Sequence, residues 1–207
     1  MVDTFRGNGS PIAKGGAEAW NGQLVHTPVI CYARLDPGRD RRLDRNGITV
    51  AAHLRPGVDD EYGAMSTTLL SSIDAQCVNR LRRQIQQSAH PDAIEIMEHA
   101  LDSATGACLV PELACQIGRT TRTLQRRCTI LGIPSPKRLL ALARIFTVQR
   151  LAEWSGQPYG SVSVALGFSN RSNYRRLVRG VFGKSPTELE WCGGHEYVAE
   201  AILKSVG

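Results

Sequence analysis

Apolar residues recur every three or four positions along much of the chain beyond residue 70, which is the spacing of one face of an α-helix. One such stripe predicts a helix from Ile73 to about Ala89, and His90-Pro91-Asp92 ends it and begins the next helix. Another stripe predicts one long amphipathic helix over Lys137–Trp154. The residues expected to be buried in the long helix are Leu139, Leu140, Ala143, Phe146, Leu151 and Trp154. This half of the chain is therefore predicted to be helical.

The first 90 residues show a different pattern. Residues 1–24 are rich in Gly, Ser, Asn and Ala without periodicity, and we expect most of them to be disordered. Two apolar runs, Pro28–Ala33 and Ile48–Leu54, predict strands, and the charged segment Arg39–Arg45 between them predicts a short helix. We therefore expect a small α/β segment over residues 25–90, with a domain boundary near His90.

The charge is distributed unevenly between the two halves. The chain has a formal net charge of +6. Residues 107–190 contain 13 basic and 4 acidic side chains, a balance of +9, whereas residues 1–106 contain 11 and 13, a balance of −2. A basic module joined to a nearly neutral one indicates a polyanionic partner, although charge alone does not separate DNA from RNA or from an acidic protein surface.

The sequence also argues against several classes of protein. No apolar run approaches the ~20 residues that a membrane-spanning helix needs, and no secretory signal is evident, so we expect a cytoplasmic protein without membrane contact. The six cysteines lack the spacing of a zinc site and are interpreted as reduced thiols, so we expect no metal and no cofactor. The five histidines have no evident nucleophile partner, and neither a G-x-S-x-G motif nor a phosphate-binding loop occurs. We therefore predict that the chain is not an enzyme.

The segment after Gly106 has the local chemistry of a helix-turn-helix. Pro111 suits the first turn of a helix, where its missing N–H costs little. Ala114 is small enough for a close helix crossing, and Gly118, four residues later, permits a turn with positive φ. Thr120 is a suitable N-cap for the next helix.

That next helix, over residues 121–131, separates two faces. Leu124, Cys128 and Leu131 recur at helical spacing and are expected to face the core. The other face contains no acidic residue and is formed by Arg122, Gln125, Arg126 and Thr129. Arg and Gln make paired hydrogen bonds to guanine and adenine edges in the major groove, so this face is a candidate reader of DNA.

The same pattern returns about 50 residues later. Ser163 and Gly167 take the places of Ala114 and Gly118, and Ser169 or Asn170 is expected to cap the following helix. In that helix the predicted core stripe is Tyr174, Leu177, Val178 and Val181. The predicted outer face is Ser172, Arg175, Arg176 and Arg179, with Asn173 near the tip. The predicted fold is thus mainly α, with two tandem helix-turn-helix subdomains joined by a linker helix and preceded by the small α/β segment.

Two motifs make the similarity to a known family specific. They are Leu113-Ala-x-x-Ile-Gly-Arg-Thr-x-Arg-x-Leu-Gln-Arg-Arg and Ala165-Leu-Gly-Phe-Ser-Asn-x-Ser-Asn-Tyr-x-Arg, followed by Phe182-Gly-Lys-Ser-Pro. Together they closely resemble the DNA-binding domain of AraC/XylS-type transcription regulators, over residues 91–191. The resemblance implies seven helices, of which two enter successive major grooves. It departs from the family at Cys128, where an aromatic or large apolar residue is usual, and at Ser163, where Ala is usual.

The resemblance also implies which residues contact DNA. By position, the residues that read bases are Arg122, Gln125 and Arg126 in the first unit and Arg171, Ser172, Asn173 and Arg176 in the second. Thr123 and Arg175 complete the expected set of DNA contacts. Double-stranded DNA is the implied partner, and RNA polymerase and a second copy of the chain are further candidates. The expected protein is a bacterial regulator at the nucleoid, an activator by family resemblance, although the sequence does not separate activation from repression. The alternative is a protein-interaction module that keeps this fold but has lost specific DNA binding.

The part before residue 91 does not resemble the sugar-binding barrel that is common in this family. Its strand–charged helix–strand order weakly resembles the latter half of a response-regulator receiver, without the half that would carry a phosphorylated aspartate. The other interpretation is a docking, dimerisation or sensing region. Residues 192–207 are expected to form a tail with a short helix.

Overall fold

The computed structural model describes residues 29–32, 50–55, 57 and 62–207, and the chain divides into two compact units, residues 1–80 and 81–207. In the first unit, strands β1 (Val29–Tyr32) and β2 (Val50–Leu54) pair in parallel, with Ile30 opposite Ala52. Both strands lie within the segments that the sequence predicts. The disorder predicted for residues 1–24 and the charged helix predicted at Arg39–Arg45 lie outside the described residues, and the receiver-like interpretation stays a prediction.

Helix α1 (Tyr62–Ser88) begins well before the predicted start at Ile73. The apolar stripe starts only at Ile73, but the preceding residues include no proline, and the only glycine, Gly63, lies in the first turn. Since nothing breaks the helix there, it extends backward beyond its amphipathic part. The helix ends where expected, because His90 caps the following helix α2 (Pro91–Asp102) through a hydrogen bond from the Asp92 N–H to Nδ1, at 3.2 Å.

The second unit is helical. After α2 and a short 3-10 helix (Ser103–Thr105), the helices are α3 (Val110–Gln116), α4 (Thr121–Ile130), α5 (Pro136–Ser155), α6 (Tyr159–Ala165), α7 (Arg171–Phe182), α8 (Pro186–Trp191) and α9 (Gly194–Val206). Residues 91–191 are described throughout and contain seven α-helices, as the resemblance implies. The mainly α fold with two helix-turn-helix units and a linker helix is confirmed.

Helix α5 lies at the centre of this unit. It contacts α2, the 3-10 helix, α3, α4, α6, α7 and α9, and its side chains from Leu139 to Ala152 are buried on nearly every face. The prediction that Trp154 is buried is wrong, because 36% of that residue is exposed. A helix covered on all sides has no single apolar stripe, so periodicity alone does not locate the point where the cover ends.

Helix α9 packs against α5. Val198, Ile202 and Val206 are buried along its inner face. At its first turn the backbone N–H of His195 donates to Oε1 of Glu153 on α5, at 2.8 Å, and the His195 ring contacts the second carboxylate oxygen. The residues predicted as a tail thus form a helix that belongs to the core. Among the described residues, no helix is long and apolar enough to span a membrane.

Candidate nucleic-acid interface

The first helix-turn-helix is formed by α3 and α4. Gly118 adopts φ +66° in the turn between them, and the N–H of Arg119 donates to the carbonyl of Ala114 at 2.8 Å, closing the end of α3. The side chain of Ala114 is buried. Thr120 then caps α4, since its hydroxyl accepts the N–H of Thr123 at 3.2 Å. Ala114, Gly118 and Thr120 therefore have the geometry that the sequence predicts for them.

The second unit, α6 and α7, repeats this geometry. Gly167 adopts φ +81°, and the N–H of Phe168 donates to the carbonyl of Ser163 at 3.0 Å. Ser163 is fully buried, and its hydroxyl donates to the carbonyl of Gly160 at 3.0 Å, so the departure from alanine leaves no unpaired polar group. Of the two cap candidates it is Asn170 that caps α7, accepting the N–H of Asn173 at 2.9 Å.

Helix α4 turns the predicted reading face to solvent. Arg122, Gln125 and Arg126 are exposed, whereas Leu124 and Cys128 are buried. Burial raises the pKa of the Cys128 thiol, which keeps it protonated and suits a core residue rather than a reactive one. The face contains no acidic residue. An exposed row of donors without compensating carboxylates is well suited to a polyanion.

Two further side chains of α4 are engaged within the protein. The hydroxyl of Thr123 lies 2.9 Å from that of Thr120, so it takes part in the cap. Arg127 binds α2, with one guanidinium nitrogen 2.8 Å from Asp92 and the other 3.4 Å from Glu95. The neighbouring arginines of α4 thus differ, since Arg126 extends into solvent and Arg127 joins two helices.

Helix α7 presents Arg171, Ser172, Arg175 and Arg176 to solvent, while Tyr174 and Val178 are fully buried. Asn173 is half-buried, and its Nδ2 donates to the hydroxyl of Ser169 at 2.6 Å. All of these predicted residues therefore lie on or beside one exposed face. Asn173 differs from the rest because its amide already has a partner inside the protein.

Polar contacts fix the second unit to the linker helix. Arg144 donates to the carbonyl of Leu166 at 3.2 Å and stacks 3.8 Å above the Phe168 ring. Burial lowers the pKa of Arg144, and the carbonyl and the ring together offset the cost of keeping its charge. From the same helix, the amide of Gln149, which is fully buried, donates to the hydroxyl of Tyr174 at 3.0 Å. The orientation of α7 is therefore set by α5.

Part of the chain matches a known protein family. Residues 113–190 match the model of a family described as a helix-turn-helix domain. The chain carries an AraC-type helix-turn-helix domain. No curated protein and no solved structure matches the chain. The resemblance to AraC/XylS-type regulators is confirmed over this segment, which begins within α3 and ends within α8.

An AraC-type domain belongs to DNA-binding transcription regulators and is not a catalytic domain. DNA is thus the partner that the family indicates. In the part of the chain that the structure describes, no group of three His, Cys, Asp or Glu side chains is arranged to hold a metal ion. The two exposed helix faces are the candidate surface for this partner.

The sequence did not reveal how one side of α7 meets its neighbours. Arg179 is exposed on the outer face, as predicted, and the structure also brings it with Arg171 and Arg175 to the edge of a cavity next to Tyr159 and Ser185. The four-residue spacing of Arg171, Arg175 and Arg179 indicates that they share one side of α7. The contributions of α6 and α8 depend on tertiary packing and had no sequence signal.

Proposed function

We propose that this AraC-type protein is a sequence-specific transcription regulator that places α4 and α7 in successive major grooves of promoter DNA. The observation that supports the proposal is the pair of exposed, acid-free helix faces attached to one buried linker helix. The major groove, about 12 Å wide, accepts an α-helix and displays the donors and acceptors by which base pairs differ.

The reading roles follow from side-chain chemistry. Arg122 and Arg126 on α4 and Arg176 on α7 are suited to bidentate bonds with guanine, and Gln125 is suited to adenine. Ser172 and the free Oδ1 of Asn173 supply shorter-range contacts on α7. Thr123, Arg171 and Arg175 complete the proposed interface. Other Lys and Arg side chains of the domain set its position by contacts to phosphates.

The spacing of the two readers is the second part of the proposal. Successive major grooves on one face of B-DNA lie about 34 Å apart, one helical turn. Because the second helix-turn-helix unit is held to α5 by Arg144 and Gln149, we expect little freedom to adapt to another spacing. We also propose RNA polymerase and a second copy of the chain as further partners. We further propose that the protein activates transcription and is cytoplasmic.

Selection of bound duplexes from a random pool tests the proposal. We expect enrichment of two short conserved segments about one helical turn apart, a footprint whose length reports the number of protein copies, and affinity that falls steeply with added salt. Moving the two segments apart by half a turn should abolish the preference, because the second helix then meets the wrong side of the duplex. A pool without enrichment, or binding insensitive to salt, would favour the interaction-module alternative.

A further inference from the structure

One flank of α7 borders a cavity of about 430 Å³. Its walls come from α7, from the start of α6 and from the start of α8. The lining residues used below are Arg171, Arg175, Arg179, Tyr159, Gly160 and Ser185. The three arginines are spaced four residues apart, so they occupy successive turns on the same side of the helix. We call this cavity the arginine groove.

The aliphatic part of the Arg171 side chain packs against the wall of this groove. A Cβ atom at Gly160 would lie only 2.7 Å from Cδ of Arg171, so the aliphatic part of the side chain packs closely on the bare backbone of α6. The side chain is therefore aligned with the flank of α7, whereas Ser172 and Arg176 lie on the adjacent line of the helix surface. The exposed residues of α7 thus form two lines with different surroundings.

The charge of the groove is only partly offset. None of Arg171, Arg175 and Arg179 forms an ion pair with any residue that the structure describes. Two acids lie nearby, and both are engaged. Glu188 accepts the backbone N–H of Ser185 at 2.5 Å, a bond that lowers its pKa, with a smaller contribution from the charge of Arg179. Burial raises the pKa of Tyr159, and the neighbouring Glu190 raises it further. Three arginines thus line one cavity, and none of them has an ion-pair partner among the described residues.

We propose that the arginine groove holds a phosphate group of the bound duplex, so that Arg171, Arg175 and Arg179 position α7 while Ser172 and Arg176 read bases. The inference rests on the proposed function and changes the role expected of Arg171. A helix in the major groove directs its outermost face to the base edges, and its flank meets the phosphates along the groove wall. Guanidinium groups bind phosphate by two parallel hydrogen bonds, which suits a cavity lined by three arginines.

Charge-removing substitutions separate positioning from reading. For R175Q and R179Q we expect an affinity loss of about tenfold each, as for one charge-assisted hydrogen bond, and the same loss on the selected and on random duplexes. The slope of log affinity against log salt should become shallower by about one. The matched variants R175K and R179K keep the charge and should restore the slope. A loss confined to the selected duplex would overturn the proposal, since it would show that these side chains read bases.

Neutral methylphosphonate linkages locate the phosphate. The linkages are introduced one at a time along the selected duplex. A linkage next to the segment bound by α7 should weaken DNA binding by the unmodified protein, and should weaken DNA binding by the R175Q/R179Q variant much less. Equal effects on both proteins at every linkage would overturn the groove as a phosphate site. Circular dichroism of the variants checks that the exposed substitutions leave the fold intact.

A free anion is the other source of the same chemistry. If inorganic phosphate bound the unmodified protein but not R175Q/R179Q, while all linkages behaved alike, the groove would serve a small ligand and the DNA assignment would be wrong. The proposed function fails differently, because the unmodified protein would then select no sequence from the random pool. In that case the linkage experiment on any bound duplex still decides whether the groove holds a phosphate.

Discussion

Arg126 and Arg127 are adjacent in α4, and their surroundings assign them to different tasks. Arg126 is exposed on the acid-free face, whereas Arg127 is bound to Asp92 and Glu95 of α2. An exposed guanidinium retains all its donors for a base edge, and a paired one does not. This difference provides a matched pair of substitutions that change the same amount of charge.

We expect R126A, and likewise R176A on α7, to weaken binding of the selected duplex by roughly 1–3 kcal/mol and binding of random DNA far less. The reason is the loss of a bidentate contact to one base. Fluorescence anisotropy with both duplexes measures the difference. Equal losses on both duplexes would show that these residues contact phosphates only.

The matched control is R127A. Because Arg127 is partly exposed and paired across helices, its removal should lower the free energy of unfolding by about 0–1 kcal/mol and leave the preference for the selected duplex unchanged. Urea denaturation and the same anisotropy assay measure the two effects. A strong loss of preference in R127A would mean that charge alone, rather than orientation, decides recognition.

Single positions with local chemistry were predictable from the sequence. Thr120, Gly118 and Gly167 have the cap and the positive φ that their residue types favour, since both properties depend on neighbouring backbone only. The ion pairs of Arg127 were not predictable, because Asp92 is far away in sequence and comes close only when α2 packs beside α4. The choice of Asn170 over Ser169 as the cap likewise depended on the exact start of α7.

At the level of helices and turns, the two glycines Gly167 and Gly180 should respond oppositely to alanine. Gly167 has φ +81°, a conformation that costs an L-residue roughly 1–2 kcal/mol, so G167A should be destabilising. Gly180 lies within α7 with open space around its Cα, so G180A should stabilise the fold by about 0.5–1 kcal/mol. Thermal unfolding of both variants measures the pair. Stabilisation by G167A would contradict the assigned turn.

The capping box of α8 gives a pH dependence. Hydrogen bonds from the Ser185 backbone N–H and hydroxyl lower the pKa of Glu188 below its ordinary value of about 4.3. A carboxyl with a lowered folded pKa adds stability that is fully present above its unfolded pKa and is lost as the pH falls through the folded pKa. The difference in unfolding free energy between the wild type and E188Q should therefore be largest near neutral pH and shrink in acid.

Urea denaturation between about pH 7 and about pH 3, a range that includes the ordinary glutamate pKa, measures this trend. The control is E200Q, at an exposed residue of α9 whose contact is a surface ion pair with Lys204. A difference between wild type and E188Q that does not change with pH would contradict the role of the carboxylate in the cap.

Whole helices were predictable where one face is apolar and the other polar, as in α4 and α7. Helix α5 was predicted as a helix with one buried face, but its burial on nearly every face was not predicted, because packing on all sides erases the difference between faces that periodicity detects. That is why Trp154 was wrongly placed in the core. The arginine groove was beyond prediction for a related reason: its walls are three helices whose approach no local pattern encodes.

On the scale of the second compact unit, α9 is part of the folded core although it lies beyond the matched segment. Ile202 is fully buried, and we expect I202A to lower the free energy of unfolding by about 2–5 kcal/mol, through lost burial and the cavity left behind. Denaturant titration measures the loss. The control K204A changes an exposed residue of the same helix and should have an effect within about 0.5 kcal/mol. Similar midpoints for the two variants would show that α9 is dispensable for stability.

The exposed faces of α4 and α7 are not copies of each other: one presents Arg122, Gln125 and Arg126, and the other presents Ser172 and Arg176. A palindromic site requires two identical readers related by a two-fold axis. A site read by two different helices of one chain has a left and a right end. Inverting such a site in front of a gene would turn the bound protein around, so the orientation of the site, and not only its presence, would carry information.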